Sequence, residues 1–301
     1  MLFRSTADAK SHADAAPVST LKSDSPPVLV SDPVKSGKLS VLLVEDNIVN
    51  QTVAQFMLKQ LGYNFKIANN GAEAIEILRQ TEYPLVLMDI EMPIMDGISA
   101  TQAIRQEWAT PDQPYIIAVT AYAMTGDRER CLNAGMQDYL TKPLRIQNLQ
   151  TALQQGENSL SLKQVPLQQE SPPLPQETVM ILDQSVLDGF FKMAGPEVAV
   201  TLLRELLDAY SEDVPQRLVD IEAAIAQANP EALRCAAHAL RSSSINLGAV
   251  EVGQHCRELE QMGKSGTTAG AQELYPQLSL AVGKVIGALE NTYQNLQLAT
   301  V

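Results

Sequence analysis

Two groups of side chains carry the chemistry this sequence offers. In the first, "VEDN" places Glu45 and Asp46 at the end of a short apolar run, and "LVLMDIEMP" ends another such run in Asp89. "YIIAVTA" ends in Thr120, and "DYLTKP" brings Lys142 after a fourth. A lone acidic pair is an ordinary helix start. Three carboxylates gathered in one place repel one another until their pKa values rise or a hard cation binds. Mg2+ favours oxygen ligands and keeps several waters, which leaves room for a phosphoryl group. Mg2+ and the Lys142 ammonium together balance three carboxylates. They would neutralise phosphoryl oxygens while one carboxylate acts as nucleophile.

The second group is "CAAHALRSSSINLGA", in which His238 stands between Arg234 and Arg241. Leu233, Ala237, Leu240, Ser244 and Leu247 repeat at four and three and mark a core-facing stripe. His238 follows Ala237 and is rotated about 100° from that stripe, which turns it toward solvent. Arg234, Arg241, Ser242 and Ile245 share its face. Two guanidiniums beside the imidazole would depress its pKa, keep it nucleophilic and then grip phosphate oxygens. Ala239, Ser242 and Ser243 are small enough to let another backbone come close. A single histidine without Cys or carboxylate neighbours cannot complete a metal shell. His255 reads as an inert surface histidine, and His12 lies in the leader.

Both groups need elements to position them. From Ser40, short apolar runs ("SVLLV", "NFKIA", "LVLM", "YIIAVT", "DYL") alternate with amphipathic stretches such as Ile48 to Leu61, Gly71 to Arg79 and Gly97 to Gln106. This pattern predicts an α/β domain over 39–156, a five-stranded doubly wound parallel sheet with helices on both faces. Reactive groups then gather at the carboxyl ends of the strands. Residues 1–38 are rich in Ser, Ala, Asp and Pro without periodicity and read as a disordered leader. The Gln/Ser/Pro-rich stretch 157–181 reads as a linker; about 24 residues reach ~80 Å when extended. From Leu182 the strand signals stop. Leu203, Leu207, Tyr210, Val214, Leu218, Ile221 and Ile225 mark one long helix, bent at Pro215. Asn229-Pro230 starts the helix that holds His238, and two more follow. This predicts an all-α four-helix bundle over 182–298.

The composition narrows the partners. The 301 residues carry 35 acidic against 22 basic side chains, a net charge of −13, which disfavours nucleic acid and anionic lipid. Three cysteines outside any metal-ligand spacing read as reduced thiols of a cytoplasmic protein. No apolar run reaches the ~20 residues that span a bilayer.

On these motifs, residues 39 to about 155 resemble a response-regulator receiver domain, a flavodoxin-like fold. The resemblance implies that Asp89 accepts phosphate and that Glu45, Asp46, Asp89 and the backbone carbonyl of Glu91 hold Mg2+. It further implies that Thr120 and Lys142 contact the phosphoryl group, that Tyr139 is an aromatic switch, and that Lys142-Pro143 is cis. "AAHALRSSSINLGA" is similar to the signature of histidine phosphotransfer (Hpt) domains over about 182–298. That assigns phosphate carriage to His238, with Arg241 in place of the usual lysine and Ser242 in place of the usual glycine.

The expected protein is a phosphorelay intermediate like the C-terminal part of a hybrid sensor kinase. A histidine kinase would stand upstream and a receiver downstream, and no glycine box for ATP is present. The rivals are a docking scaffold that transfers nothing, marked by Ser242, and an aspartate-based phosphatase. The latter usually needs a second aspartate where this chain has Glu91.

Overall fold

The computed structural model describes residues 38–121, 125–161 and 181–300. The expected leader lies outside them apart from Lys38, as does most of the expected linker.

Alternating strands and helices open the described chain: β1 (Val41–Val44), α1 (Ile48–Gln60), β2 (Phe65–Ala68), α2 (Gly71–Gln80), β3 (Leu85–Asp89), α3 (Gly97–Glu107), β4 (Tyr115–Thr120), α4 (Thr125–Ala134), β5 (Asp138–Thr141) and α5 (Ile146–Ser161). The five strands form one parallel sheet in the order β2-β1-β3-β4-β5. Strand side chains alternate between faces, so Leu42, Val44, Val86 and Met88 pack with α2 and α3, whereas Val41, Leu43, Leu85 and Leu87 pack with α1 and α5. Register aligns Val44 with Met88, Asp89 with Val119, and Thr120 with Thr141. The predicted reactive residues therefore leave the sheet at one edge. Short polar caps start the helices there: Asn47 accepts from the amides of Val49 and Asn50, and Asp96 from that of Ser99.

The second half is helical: α6 (Gln184–Ala194), α7 (Pro196–Ala226), α8 (Pro230–Asn246), α9 (Val250–Lys264) and α10 (Ala271–Thr300). The long α7 contains Pro215, and Pro230 begins α8 under an Asn229 cap. Leu233, Ala237, Leu240, Ser244 and Leu247 are all buried, as their spacing predicts. Gly263 lets α9 lie close on α8, since a Cβ there would sit 2.5 Å from the Pro230 carbonyl oxygen. Two details depart from expectation. The bundle carries an additional helix, α6, whose Phe190 meets Phe56 of α1 edge-on at 6.3 Å. Helix α5 runs on to Ser161, past residue 157 where the linker was expected, and at Gly156 it still lies close against Leu85 and Tyr115 of the sheet.

The two halves share one apolar core. Helix α1 is the layer between them: Val49, Asn50, Gln51, Val53, Ala54, Phe56, Met57 and Leu58 are all buried.

Candidate functional site

The carboxyl edge of the sheet holds the first site. Glu45, Asp46 and Asp89 each place an oxygen within 4.8 Å of the others. Lys142 reaches them from the end of β5, its backbone amide donating to Thr120 O at 2.7 Å. Its Nζ donates to Glu45 Oε2 at 2.9 Å and Asp89 Oδ2 at 2.8 Å, with the side chain 1% exposed. Burial alone would lower the Lys142 pKa, but the Asp89 and Glu45 charges outweigh it and hold the ammonium above the usual lysine range. Burial, then the Asp89 charge, pushes Glu45 up to about 8 and Asp46 to about 6. Three carboxylates against one ammonium leave two negative charges, the deficit that one divalent cation cancels, so the residues fit Mg2+. Thr120 is buried at the end of β4. Tyr139 on β5 is half-buried, with the Arg128 guanidinium 5.6 Å from its ring centroid. Lys142-Pro143 is cis.

Helix α8 lies across this edge. Arg234, His238, Ser242 and Asn246, spaced by four, form one stripe, and every one of them meets the first half of the chain. Arg234 Nη1 donates to Glu91 Oε2 at 3.0 Å, and His238 Nδ1 lies 3.4 Å from the same oxygen. The Ser242 hydroxyl accepts from Lys142 Nζ at 2.9 Å and from Asn50 Nδ2 at 2.8 Å. Asn246 Nδ2 donates to Asn50 Oδ1 at 2.7 Å, and its Oδ1 accepts from the Leu144 amide at 3.3 Å. Asn50 Nδ2 also donates to Glu45 Oε1 at 2.8 Å, tying the contact to the carboxylate group. From α7, Asp213 accepts from Asn47 Nδ2 at 2.9 Å and from Arg217 Nε at 2.9 Å. The Arg217 charge opposes the rise of Asp46.

His238 differs from expectation in two respects. It is 7% exposed rather than turned to solvent, because the face that avoids the bundle core is covered by the sheet edge. The second concerns its neighbours, since both arginines have carboxylates beside them. Arg234 pairs with Glu231 and Glu91, and buried Arg241 lies 3.5 Å from Glu260. The imidazole faces carboxylates instead, with Nδ1 3.2 Å from Glu260 Oε1 and 3.4 Å from Glu91 Oε2.

A family model described as "Response regulator receiver domain" matches residues 41–154, and one described as "Hpt domain" matches residues 205–298. The chain is a receiver domain followed by an Hpt domain. It is 31% identical over 243 residues to the signal transduction histidine-protein kinase BarA of Shigella flexneri, an alignment covering 80% of this chain and 25% of the relative. The chain thus spans about a quarter of that relative's length. It is also 46% identical to the receiver domain of a sensor histidine kinase from Pseudomonas aeruginosa, solved with a magnesium ion coordinated in the active site cleft. That match covers 39% of this chain and 96% of the other at a TM-score of 0.37. A third similarity, at 30% identity, is to a co-crystal structure of the Saccharomyces cerevisiae histidine phosphotransfer signaling protein Ypd1 with the receiver domain of its downstream response regulator Ssk1. It covers 42% of this chain and 92% of the other at a TM-score of 0.39. Among the described residues no helix is long and apolar enough to cross a membrane. Receiver and Hpt domains are phosphorelay modules, and their presence together supports a phosphorelay signalling role.

The structure brings Glu45, Asp46, Asp89, Thr120 and Lys142 to the receiver edge and lays His238 of the Hpt domain on it. The Glu91 side chain does not join the carboxylates; it turns to Arg234 and His238. Sequence reasoning missed Glu260 and the Asn50, Asn246 and Asp213 contacts. A signal for Glu260 existed: it sits on the apolar stripe of α9 with Val252, Cys256 and Gly263, where an acidic residue needs a partner.

Proposed function

We propose that the chain is a phosphorelay intermediate in which Asp89 accepts a phosphoryl group and His238 passes it on. One observation carries this reading: the Lys142 ammonium that pairs with Asp89 also holds Ser242, one helical turn from His238. The two phosphoacceptor candidates therefore share one buried polar site.

In this reading Asp89 attacks the phosphorus of an incoming donor, and the donor's leaving group departs with the bond electrons. Lys142 neutralises a phosphoryl oxygen and Thr120 donates a hydrogen bond to another. Glu45, Asp46, Asp89 and the Glu91 carbonyl would hold Mg2+. The ion supplies charge neutralisation at the phosphoryl oxygens and lets the anionic donor approach. In the second step His238 Nε2 attacks phosphorus, the P–N bond forms, and the P–O bond to Asp89 breaks with its electrons returning to the carboxylate. The Glu260 carboxylate, 3.2 Å from Nδ1, would face the positive charge that develops on the ring as Nε2 attacks. The reverse sequence uses the same groups. Tyr139 serves as the aromatic switch beside Thr120. A histidine kinase upstream and a receiver downstream complete the relay; the chain contributes phosphoacceptors rather than a turnover site of its own.

The test is phosphorylation of the whole chain with acetyl phosphate and Mg2+, followed by mass mapping. Wild type is expected to carry label on Asp89 and His238, His238→Gln on Asp89 alone, and Asp89→Asn on neither. Wild type that takes up label on neither residue, from acetyl phosphate or from a phosphorylated partner, overturns the reading.

A further inference from the structure

Ser242 stands where Hpt domains usually carry glycine, and its hydroxyl occupies a position with consequences for the receiver. The Lys142 ammonium has three N–H donors and no fourth. Glu45 Oε2, Asp89 Oδ2 and Ser242 Oγ take them at 2.9, 2.8 and 2.9 Å. The Ser242 oxygen has two lone pairs, and Lys142 and Asn50 fill both. A glycine here would leave one ammonium proton and one amide proton facing a gap. Resting on the proposed role of Asp89, a phosphoryl oxygen that pairs with Lys142 must displace one of its three partners. Glu45 and Asp89 are carboxyl groups of the same domain as Lys142, each held within 2.9 Å of its ammonium. Ser242 is neutral and belongs to the other domain, so it yields at the lowest cost.

We infer that Ser242 is a specificity-determining residue through which the Hpt domain recognises the unphosphorylated receiver: its hydroxyl occupies the Lys142 donor that a phosphoryl group on Asp89 would claim. Docking is then tighter to bare Asp89. By linkage, docking opposes phosphate on Asp89 to the same extent. The adjacent Ser243 provides an internal contrast. It is equally buried, but its hydroxyl donates to the Ala239 and Leu240 carbonyls of its own helix.

The experiment uses the whole chain carrying His238→Gln, so that label taken from acetyl phosphate with Mg2+ stays on Asp89 while acetate departs. Adding Ser242→Ala or Ser242→Gly is expected to raise the initial rate of Asp89 labelling on the order of tenfold, the worth of one hydrogen bond to a charged group. Adding Ser243→Ala is expected to leave it unchanged. A rise below threefold in either Ser242 variant, or an equal rise with Ser243→Ala, overturns the inference. No label on Asp89 in any variant overturns the acceptor role itself, and this inference with it.

Discussion

At the scale of single residues, the carboxylate group and Glu260 determine what the site can do. Glu45 and Asp46 have folded values of about 8 and 6 against ordinary values of 4.5 and 3.8. Below the ordinary values both folded and unfolded chains are protonated there, and the repulsion is absent. As pH rises through the window to about 8, the unfolded chain releases these protons before the folded one, so stability falls. A divalent cation removes that penalty. Thermal melts are therefore expected to show a small Mg2+ stabilisation at pH 5 and a much larger one at pH 8; equal shifts would contradict it. In the proposed relay Glu260 faces the His238 ring, with its Oε1 3.2 Å from Nδ1. Glu260→Gln removes that charge and is expected to slow His238 labelling ~10-fold while leaving Asp89 labelling near wild type, the worth of one close charge partner in a buried site. Site-resolved mass mapping over time separates the two rates.

At the scale of elements, α3 and α8 set the tolerances. Gly97 opens α3 directly behind Asp89: a Cβ there would lie 2.0 Å from the Asp89 carbonyl oxygen and 2.9 Å from Met88 Cγ. The obstacle is backbone, so Asp89 itself must move. Gly97→Ala is expected to cost ~1–3 kcal/mol, the usual toll of overpacking, and to reduce Asp89 labelling at least tenfold; chemical denaturation and acetyl phosphate labelling test each part. The elements themselves were largely legible. Strand runs bounded by acidic, hydroxyl and Lys-Pro signals predicted the sheet edge, and the four-three repeat in α8 predicted its buried stripe. Helix α6 was not recognised within 182–298, because "QSVLDGFFKMA" is short and makes sense only once Phe190 has Phe56 to pack on. The covering of His238 was equally invisible. A helical repeat identifies the face that meets its own bundle and is silent about what covers the opposite one. Neutral polar residues such as Asn50, Ser242 and Asn246 read as solvated surface until their partners are known.

At the scale of the molecule, the two domains meet where α1 packs on α7 and α8, with an apolar core continuous between them. Domains tethered in one chain typically see each other at millimolar effective concentration. Transfer between Asp89 and His238 is expected to be first order and independent of chain concentration from 1 to about 100 µM, well below that value. Mixing Asp89→Asn with His238→Gln chains is expected to restore His238 labelling only slowly, at a rate rising with concentration. Equal rates in the mixture and in wild type would place exchange between chains.

Each residue of the stripe Arg234, His238, Ser242 and Asn246 makes a contact with the chain's own sheet edge. If His238 carries phosphate as proposed, a visiting protein that needs the imidazole reaches it only when this face is vacated, so loading and delivery would take place in separate poses. A group parked on the ring in the closed pose would then be sheltered from water.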